Sequence, residues 1–378
     1  MYDLTVNRPT WAEIDLDQLA ANYDSIHEFV GKNVEIMAVV KADAYGHGAV
    51  ECSKRLIAEG ANWVAVATAE EAKELRQAKI ATRILVFGSI FPGQEREFLN
   101  FELTPVIIHL DQAAALDAEA RKHDSIAKVH IKIDTGMNRV GFRAAQWGNT
   151  AFQISKLKNI EVEGIMTHFA VAEKLSETEF TEHQMAEFAE AVQIFHDAGH
   201  RPEYIDMANS PGAVIHPLSR SKMVRIGGLL YGLAGDVIKE SLERPDVKPV
   251  MSLYSRVALV KTIHPGETVG YGRSFKANGE TTIATIPIGY NDGYRRGLSN
   301  KMNVIVNGKQ APIAGRVSMD WTTIDVTGLD EVKIGDRVTL IGTDREQKIT
   351  AKDLAEACDT ISYEITCGIG KRVPRVFV

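Results

Sequence analysis

The chain has 378 residues, 45% of them apolar, which is enough for two hydrophobic cores, because a single core stops growing at about 250 to 300 residues. Lys and Arg number 43 against 50 Asp and Glu, a formal charge of −7 that argues against a surface built to neutralise nucleic-acid phosphates and favours a small soluble partner. Residues 1–17 lack the basic-then-apolar pattern of a secretory signal and no transmembrane run follows, so together with three scattered cysteines that suit reduced packing thiols (Cys52, Cys358 and Cys367) a cytoplasmic protein is expected.

From about residue 34 to 232, short runs rich in Val and Ile alternate with longer amphipathic stretches, the pattern of parallel strands buried on both faces. The runs are Val34 to Val40, Trp63 to Ala67, Ile84 to Phe87, Thr104 to Ile108, Val129 to Ile133, Val162 to Thr167, Tyr204 to Met207 and Met223 to Ile226. Helical patterns such as Ala69 to Gln77 and Glu177 to Ala198 lie between them. Eight strand-then-helix repeats predict an α/β fold in which a (β/α)8 barrel closes on itself. After Pro245 the texture changes to Thr and Val runs separated by Gly-bearing turns, which predicts a mainly β domain. Its one helical signal is Ala351 to Ala357, entered at Thr350 with Asp353 three residues on as a capping pair. The boundary is expected within Glu240 to Lys248, dividing the chain into a barrel domain of residues 1–240 and a β domain of residues 241–378.

In such a barrel the loops at the C-terminal ends of the strands converge on one face, and chemistry belongs there. Lys41 ends the first run and is followed by Tyr45, Gly46, His47 and Gly48, which are expected to open the next helix. A lysine ending a strand is ordinarily a solvated charge. Held at a barrel mouth beside aromatic and glycine-rich backbone, it is desolvated, its pKa falls, and it becomes an imine-forming nucleophile.

The segment Val39 to Gly48 resembles the signature of the alanine racemase family, and the likeness continues through Asp134 to Gly141, Thr167-His168-Phe169, Ala208 to Ser210, Met223 to Gly227, Gly270-Tyr271-Gly272, Gly315 to Asp320 and Tyr363-Glu364-Ile365. The resemblance implies a pyridoxal-5′-phosphate enzyme that racemises alanine and supplies D-alanine for bacterial cell-wall peptidoglycan. It implies that Lys41 carries the cofactor and that Tyr45, Ser210, Gly227, Gly228 and Tyr363 hold the phosphate; by themselves these glycines read as tight turns and the tyrosines as core. It also implies that Arg225 faces the pyridine nitrogen. An arginine does not give up its proton at ordinary pH, so the nitrogen stays unprotonated and the cofactor is a weaker electron sink, which suits racemisation over transamination.

Racemisation takes a proton from one face of Cα and returns it to the other, which two opposed acid/base groups accomplish. The resemblance implies Lys41 as one and Tyr271, supplied by the partner subunit of a homodimer and reached through His168 and Arg225, as the other; as a bare sequence, Gly270 to Gly272 is a hairpin turn. It further implies that Arg139 and the partner's Met319 backbone hold the substrate carboxylate, and that Lys132 is open to carbamylation, although an ordinary strand lysine reads equally well. Two positions depart from the family pattern: Asp206, where a histidine is common, is expected either to pair with Arg225 or to cap the local turn, and Gly228 replaces a bulkier aliphatic.

His196 and His200 stand four apart on a helical pattern without a third ligand and read as surface residues, so no metal is expected. Glu70 and Glu71 read as solvated charges, as do Arg295 and Arg296, the latter pair with a second reading at the substrate approach. Serine or broad-range racemisation shares the same motifs, and a non-catalytic cofactor-carrier protein resembles the barrel alone; Tyr271, Met319 and the second domain speak against the carrier.

Overall fold

The computed structural model describes residues 8–233, 235, 238 and 243–378. Strand β1 (Thr10–Ile14) leads into helix Leu16–Val30, whose start is set by Asp15, its carboxylate accepting from Gln18 N at 2.7 Å. Eight parallel strands follow: β2 (Glu35–Val39), β3 (Trp63–Val66), β4 (Arg83–Val86), β5 (Thr104–Ile107), β6 (Ala127–Lys132), β7 (Ile160–Met166), β8 (Tyr204–Asp206) and β9 (Met223–Ile226). Each coincides with one of the apolar runs read from the sequence. Their order is β8-β7-β6-β5-β4-β3-β2-β9, and Arg225 N donates to Ala208 O at 2.9 Å across the remaining gap, so the sheet is a near-closed barrel.

The strand pleat sorts the side chains. Met37, Val39, Trp63, Ala65, Leu85, Val106, Met166, Tyr204 and Met223 pack together as the barrel interior, one residue in two along their strands. Carried on toward the C-terminal ends, the same alternation sends Lys41, Phe87, Lys132, His168, Asp206 and Arg225 inward. Gly164 makes room on the barrel floor: a Cβ there would lie 2.5 Å from the His130 ring, which stacks on Tyr204 and meets Trp63 edge-on.

The second domain adds β10 (Met251–Arg256), β11 (Leu259–Ile263), β12 (Thr268–Val269), β13 (Phe275–Lys276), β14 (Thr281–Ile286), β15 (Asn303–Val306), β16 (Lys309–Pro312), β17 (Thr322–Asp325), β18 (Arg337–Asp344), β19 (Gln347–Ile349) and β20 (Arg375–Phe377). Its main sheet runs β16-β15-β18-β10-β1-β20 with β19 beside β18, and β11-β14-β17 form a smaller sheet. The first strand among the described residues therefore sits inside the sheet of the chain's last third. Helix Ala351–Ala357 begins at the capping box of Thr350 and Asp353, as their spacing predicts. The expected boundary at residue 240 lies outside the described residues. Among the described residues no helix is long and apolar enough to cross a membrane, and no cluster of three metal-type ligands forms. Cys52 is buried, Cys358 is half-buried against the hydrophobic core and Cys367 is exposed, so packing accounts for the first two and not for the third.

Candidate active site

A cavity of ≈ 390 Å³ opens at the C-terminal ends of the barrel strands. Lys41, Tyr45, Lys132, Arg139, His168, Ser210, Arg225, Gly227, Gly228 and Tyr363 all line it, although they come from points spread over more than 300 residues of chain. Tyr271 and Met319 do not. Both are on the outside of the second domain, Tyr271 72% exposed in the loop between β12 and β13, where Gly270 and Gly272 take positive φ. Phe87 and Glu173 also line the cavity. Phe87 was legible from the pleat, two residues beyond the buried Leu85, whereas Glu173 lies in a loop without periodic signal.

Lys41 follows β2 directly, but the residues after it do not open a helix. Ala42, Asp43, Ala44 and Tyr45 have φ between 53° and 55° and ψ between 35° and 50°, one left-handed turn made without glycine. L-residues pay about 1–2 kcal/mol each for that conformation, so the surroundings must hold it. Ala42 N donates to Glu71 Oε1 at 2.7 Å, and Ala49 N to Asp43 Oδ1 at 2.7 Å. Gly46 presses on helix Ser362–Gly368, where a Cβ would lie 2.1 Å from Thr366 O, and its own carbonyl accepts from Arg375 Nε at 3.0 Å. Helix Ala49–Ala58 begins only after Gly48.

Burial is the largest cause holding the Lys41 ammonium below its ordinary pKa, and the Arg139 charge adds to it; the Glu71 carboxylate works in the opposite direction. The Nζ lies 5.9 Å from the centre of the Phe87 ring. In the same cavity, backbone and hydroxyls converge: Gly227 N donates to Ser210 Oγ at 3.1 Å, and a Cβ on Gly227 would lie 2.4 Å from the Tyr45 hydroxyl. A Cβ on Gly228 would lie 2.4 Å from the Tyr363 ring. The close approach of the two tyrosines thus leaves no room for a side chain at either glycine.

Deeper in the barrel is a layer of charge. Arg225 Nη1 lies 2.5 Å from Asp206 Oδ1, both groups buried, and Nη2 donates to Thr167 O at 2.9 Å and contacts His168 Nδ1 at 3.2 Å. Of the two roles expected for Asp206, the ion pair is the one formed. Burial pushes the Asp206 carboxyl up, against the Arg225 charge that pulls it down. His168 is held neutral, well below its ordinary pKa, first by burial and then by the Arg225 charge. Lys132, buried on the last residue of β6, is likewise held well below the ordinary lysine range by burial and Arg225. Its strand is covered by the Arg139 loop, which folds back so that Phe142 N reaches Lys132 O at 2.9 Å and Asn138 N reaches Asp134 Oδ1 at 2.9 Å. A Cβ on Gly141 would lie 2.8 Å from Lys132 Cγ.

Elsewhere three readings change. Glu71 is not simply solvated, since its carboxylate also accepts from Ala67 N at 2.7 Å and Thr68 N at 3.3 Å. Arg295 pairs with Glu364 at 2.8 Å. His200 Nε2 lies 2.9 Å from Ala151 O.

Comparison with known proteins matches both halves of the chain. The profile of "Alanine racemase, N-terminal domain" covers residues 14–235, and that of "Alanine racemase, C-terminal domain" covers residues 250–377. The alanine racemase of Halothermothrix orenii is 41% identical over 372 residues, 98% of this chain and 97% of the relative. That of Geobacter sulfurreducens is 41% identical over 98% of both chains. Among solved structures, the alanine racemase of Clostridium difficile 630 superposes with a TM-score of 0.93 at 36% identity, covering 100% of this chain and 97% of that one. The alanine racemase of Bacillus anthracis with bound L-Ala-P gives 0.92 at 35% identity, covering 99% and 96%.

Proposed function

The chain belongs to the alanine racemase family, and from that premise we propose that it interconverts L- and D-alanine with pyridoxal 5′-phosphate held at Lys41, using Lys41 and Tyr271 as the two opposed acid/base groups. The observation that carries this reading is the convergence of Lys41, the Gly227–Gly228 backbone and the hydroxyls of Tyr45, Ser210 and Tyr363 on one cavity. The donor set fits the cofactor: an amine whose pKa burial lowers gives up its proton more readily to act as a nucleophile, and a glycine cradle that a Cβ would fill suits a phosphate.

When bound, pyridoxal phosphate withdraws electrons from the amino acid and acidifies its Cα proton. The protein residues do the rest. Lys41 takes or returns that proton on one face. Tyr271 of the partner subunit serves the other face, so the proton leaves and returns without the substrate turning over. Arg139 at the cavity rim orients the substrate carboxylate with the partner's Met319 backbone. Lys132, whose neutral amine is favoured by burial, is suited to carbamylation, which would turn it into an anion able to steady Arg139. The product is D-alanine for the bacterial cell wall.

The exposure of Tyr271 and Met319, away from the Lys41 cavity, supports a site shared between two subunits of a dimer. Complementation tests this. Lys41→Ala and Tyr271→Phe homodimers should each form almost no D-alanine from L-alanine. Random co-assembly of the two chains should restore roughly a quarter of the wild-type rate, since each heterodimer has one intact site. Tagged heterodimers as inactive as their parents, with cofactor still bound by the Tyr271→Phe chain, would rule out the shared site. A borohydride-trapped cofactor on any lysine but Lys41 would rule out the attachment.

A further inference from the structure

The left-handed turn after Lys41 is a local conformation that its own residues disfavour, because Ala42, Asp43, Ala44 and Tyr45 all carry a Cβ. Something outside the turn must hold it. Residues 43–49 are tied partly among themselves, through Gly48 N to Asp43 O at 2.9 Å and Ala49 N to Asp43 Oδ1 at 2.7 Å. The first left-handed residue, Ala42, is tied from elsewhere: its N–H donates to Glu71 Oε1 at 2.7 Å, while Glu71 Oε2 takes Ala67 N at 2.7 Å and Thr68 N at 3.3 Å. One carboxylate therefore joins the residue after Lys41 to the end of β3, the neighbouring barrel strand. The helix that carries Glu71, Ala69–Gln77, starts there, and Glu71 is also the third residue of its capping box.

We propose that Glu71 is a positioning residue for Lys41: its carboxylate latches the strained turn to the end of β3 and so fixes the angle at which the lysine enters the cavity. The inference rests on Lys41 carrying the cofactor. Both oxygens are used, one for each side of the latch, so neither a glutamine, with one acceptor, nor an aspartate, one methylene shorter, can reproduce it.

Three roles for Glu71 predict different results. If it acted only as a nearby charge, its removal would lower the Lys41 pKa further, because the carboxylate favours the ammonium, and cofactor attachment at fixed pH would strengthen. If it served only its own helix, its loss would lower thermal stability, and nothing done to residue 42 would help. If it latches the turn, cofactor retention weakens, and replacing Ala42 by glycine, which accepts positive φ freely, recovers part of the loss.

Holoenzymes of the wild type, Glu71→Gln, Ala42→Gly and the double variant are to be compared for the dissociation constant of pyridoxal phosphate, the fraction trapped on Lys41 by borohydride, and the thermal midpoint. Glu71→Gln should weaken retention by about tenfold, and Ala42→Gly in that background should recover about fivefold, the glycine's advantage in a left-handed position. Should Glu71→Gln not fold, Glu71→Asp, which keeps the charge and the cap, should show the same loss and the same recovery. Unchanged or tighter retention in Glu71→Gln, or a loss that Ala42→Gly leaves untouched, overturns the latch. A wild-type protein that traps cofactor on no lysine, or on another one, instead overturns the assignment of Lys41 on which the latch depends.

Discussion

At the scale of single residues, the buried pair of Asp206 and Arg225 governs more of the cavity than its position suggests. Both side chains are almost wholly removed from water, and their 2.5 Å contact is what makes a permanent cation tolerable next to Lys132 and His168. Breaking such a pair from one side leaves an uncompensated charge in the interior. Asp206→Asn is expected to cost about 3 kcal/mol of stability, whereas the double variant Asp206→Asn/Arg225→Gln should cost less than the sum of the two single changes. Urea titrations of the four proteins check this, and strict additivity would count against the pair. That Asp206 had this choice was visible in the sequence; that it pairs rather than caps a turn was not. Adjacent strands β8 and β9 bring the two groups together only when the sheet closes between them.

At the scale of elements, β1 decides where the two domains meet. Ala12 N donates to Pro374 O at 2.9 Å, Thr10 Oγ1 meets Ser255 Oγ at 2.8 Å in the core, and Arg8 forms two contacts of 2.7 and 2.8 Å with the carboxylate of Asp292. β1 thus lies between β10 and β20, the beginning and the end of the second domain. Ala12→Pro removes the rung to Pro374 and leaves that carbonyl, just before the edge strand β20, without its partner, at a cost of about 2–3 kcal/mol. The loss should be felt in the second domain: amide hydrogen exchange in β10 should quicken more than in the barrel strands, and equal quickening everywhere would show that β1 is not specifically part of that sheet. Five residues reading Thr-Trp-Ala-Glu-Ile carry a strand pattern, but nothing in it tells which sheet will take them.

At the scale of the whole molecule, burial sets an acid limit. His47 and His130 are fully buried, and desolvation lowers their pKa to about 4 and about 3. The folded chain keeps them neutral where the unfolded chain, with an ordinary histidine pKa of about 6.5, takes up protons. Since the unfolded state then binds more protons, stability falls as the pH drops below about 6.5, and it goes on falling until the folded values are reached. By about pH 5 each histidine should have removed about 2 kcal/mol. Urea midpoints measured between neutral pH and about pH 5 should show the decline, and His130→Gln should flatten it, its ring being replaced by a group that does not titrate. A decline of the same steepness in that variant would place the acid sensitivity elsewhere.

The sequence alone determined the features that repeat or that sit close together along the chain. The eight strands were legible because a strand buried on both faces must be apolar along its length, and the Lys41 segment was legible because its ten residues are contiguous. Tertiary structure decided what depends on partners far apart in the chain. Arg8 and Asp292 are 284 positions apart, Tyr45 and Tyr363 meet over two glycines that neither neighbours, and the left-handed turn takes residues that by propensity would have continued into a helix. No local pattern records such contacts. They exist because the closed barrel and the sheet around β1 bring those groups within a few ångströms, where a carboxylate such as Glu71 can hold a backbone that its own sequence would not choose.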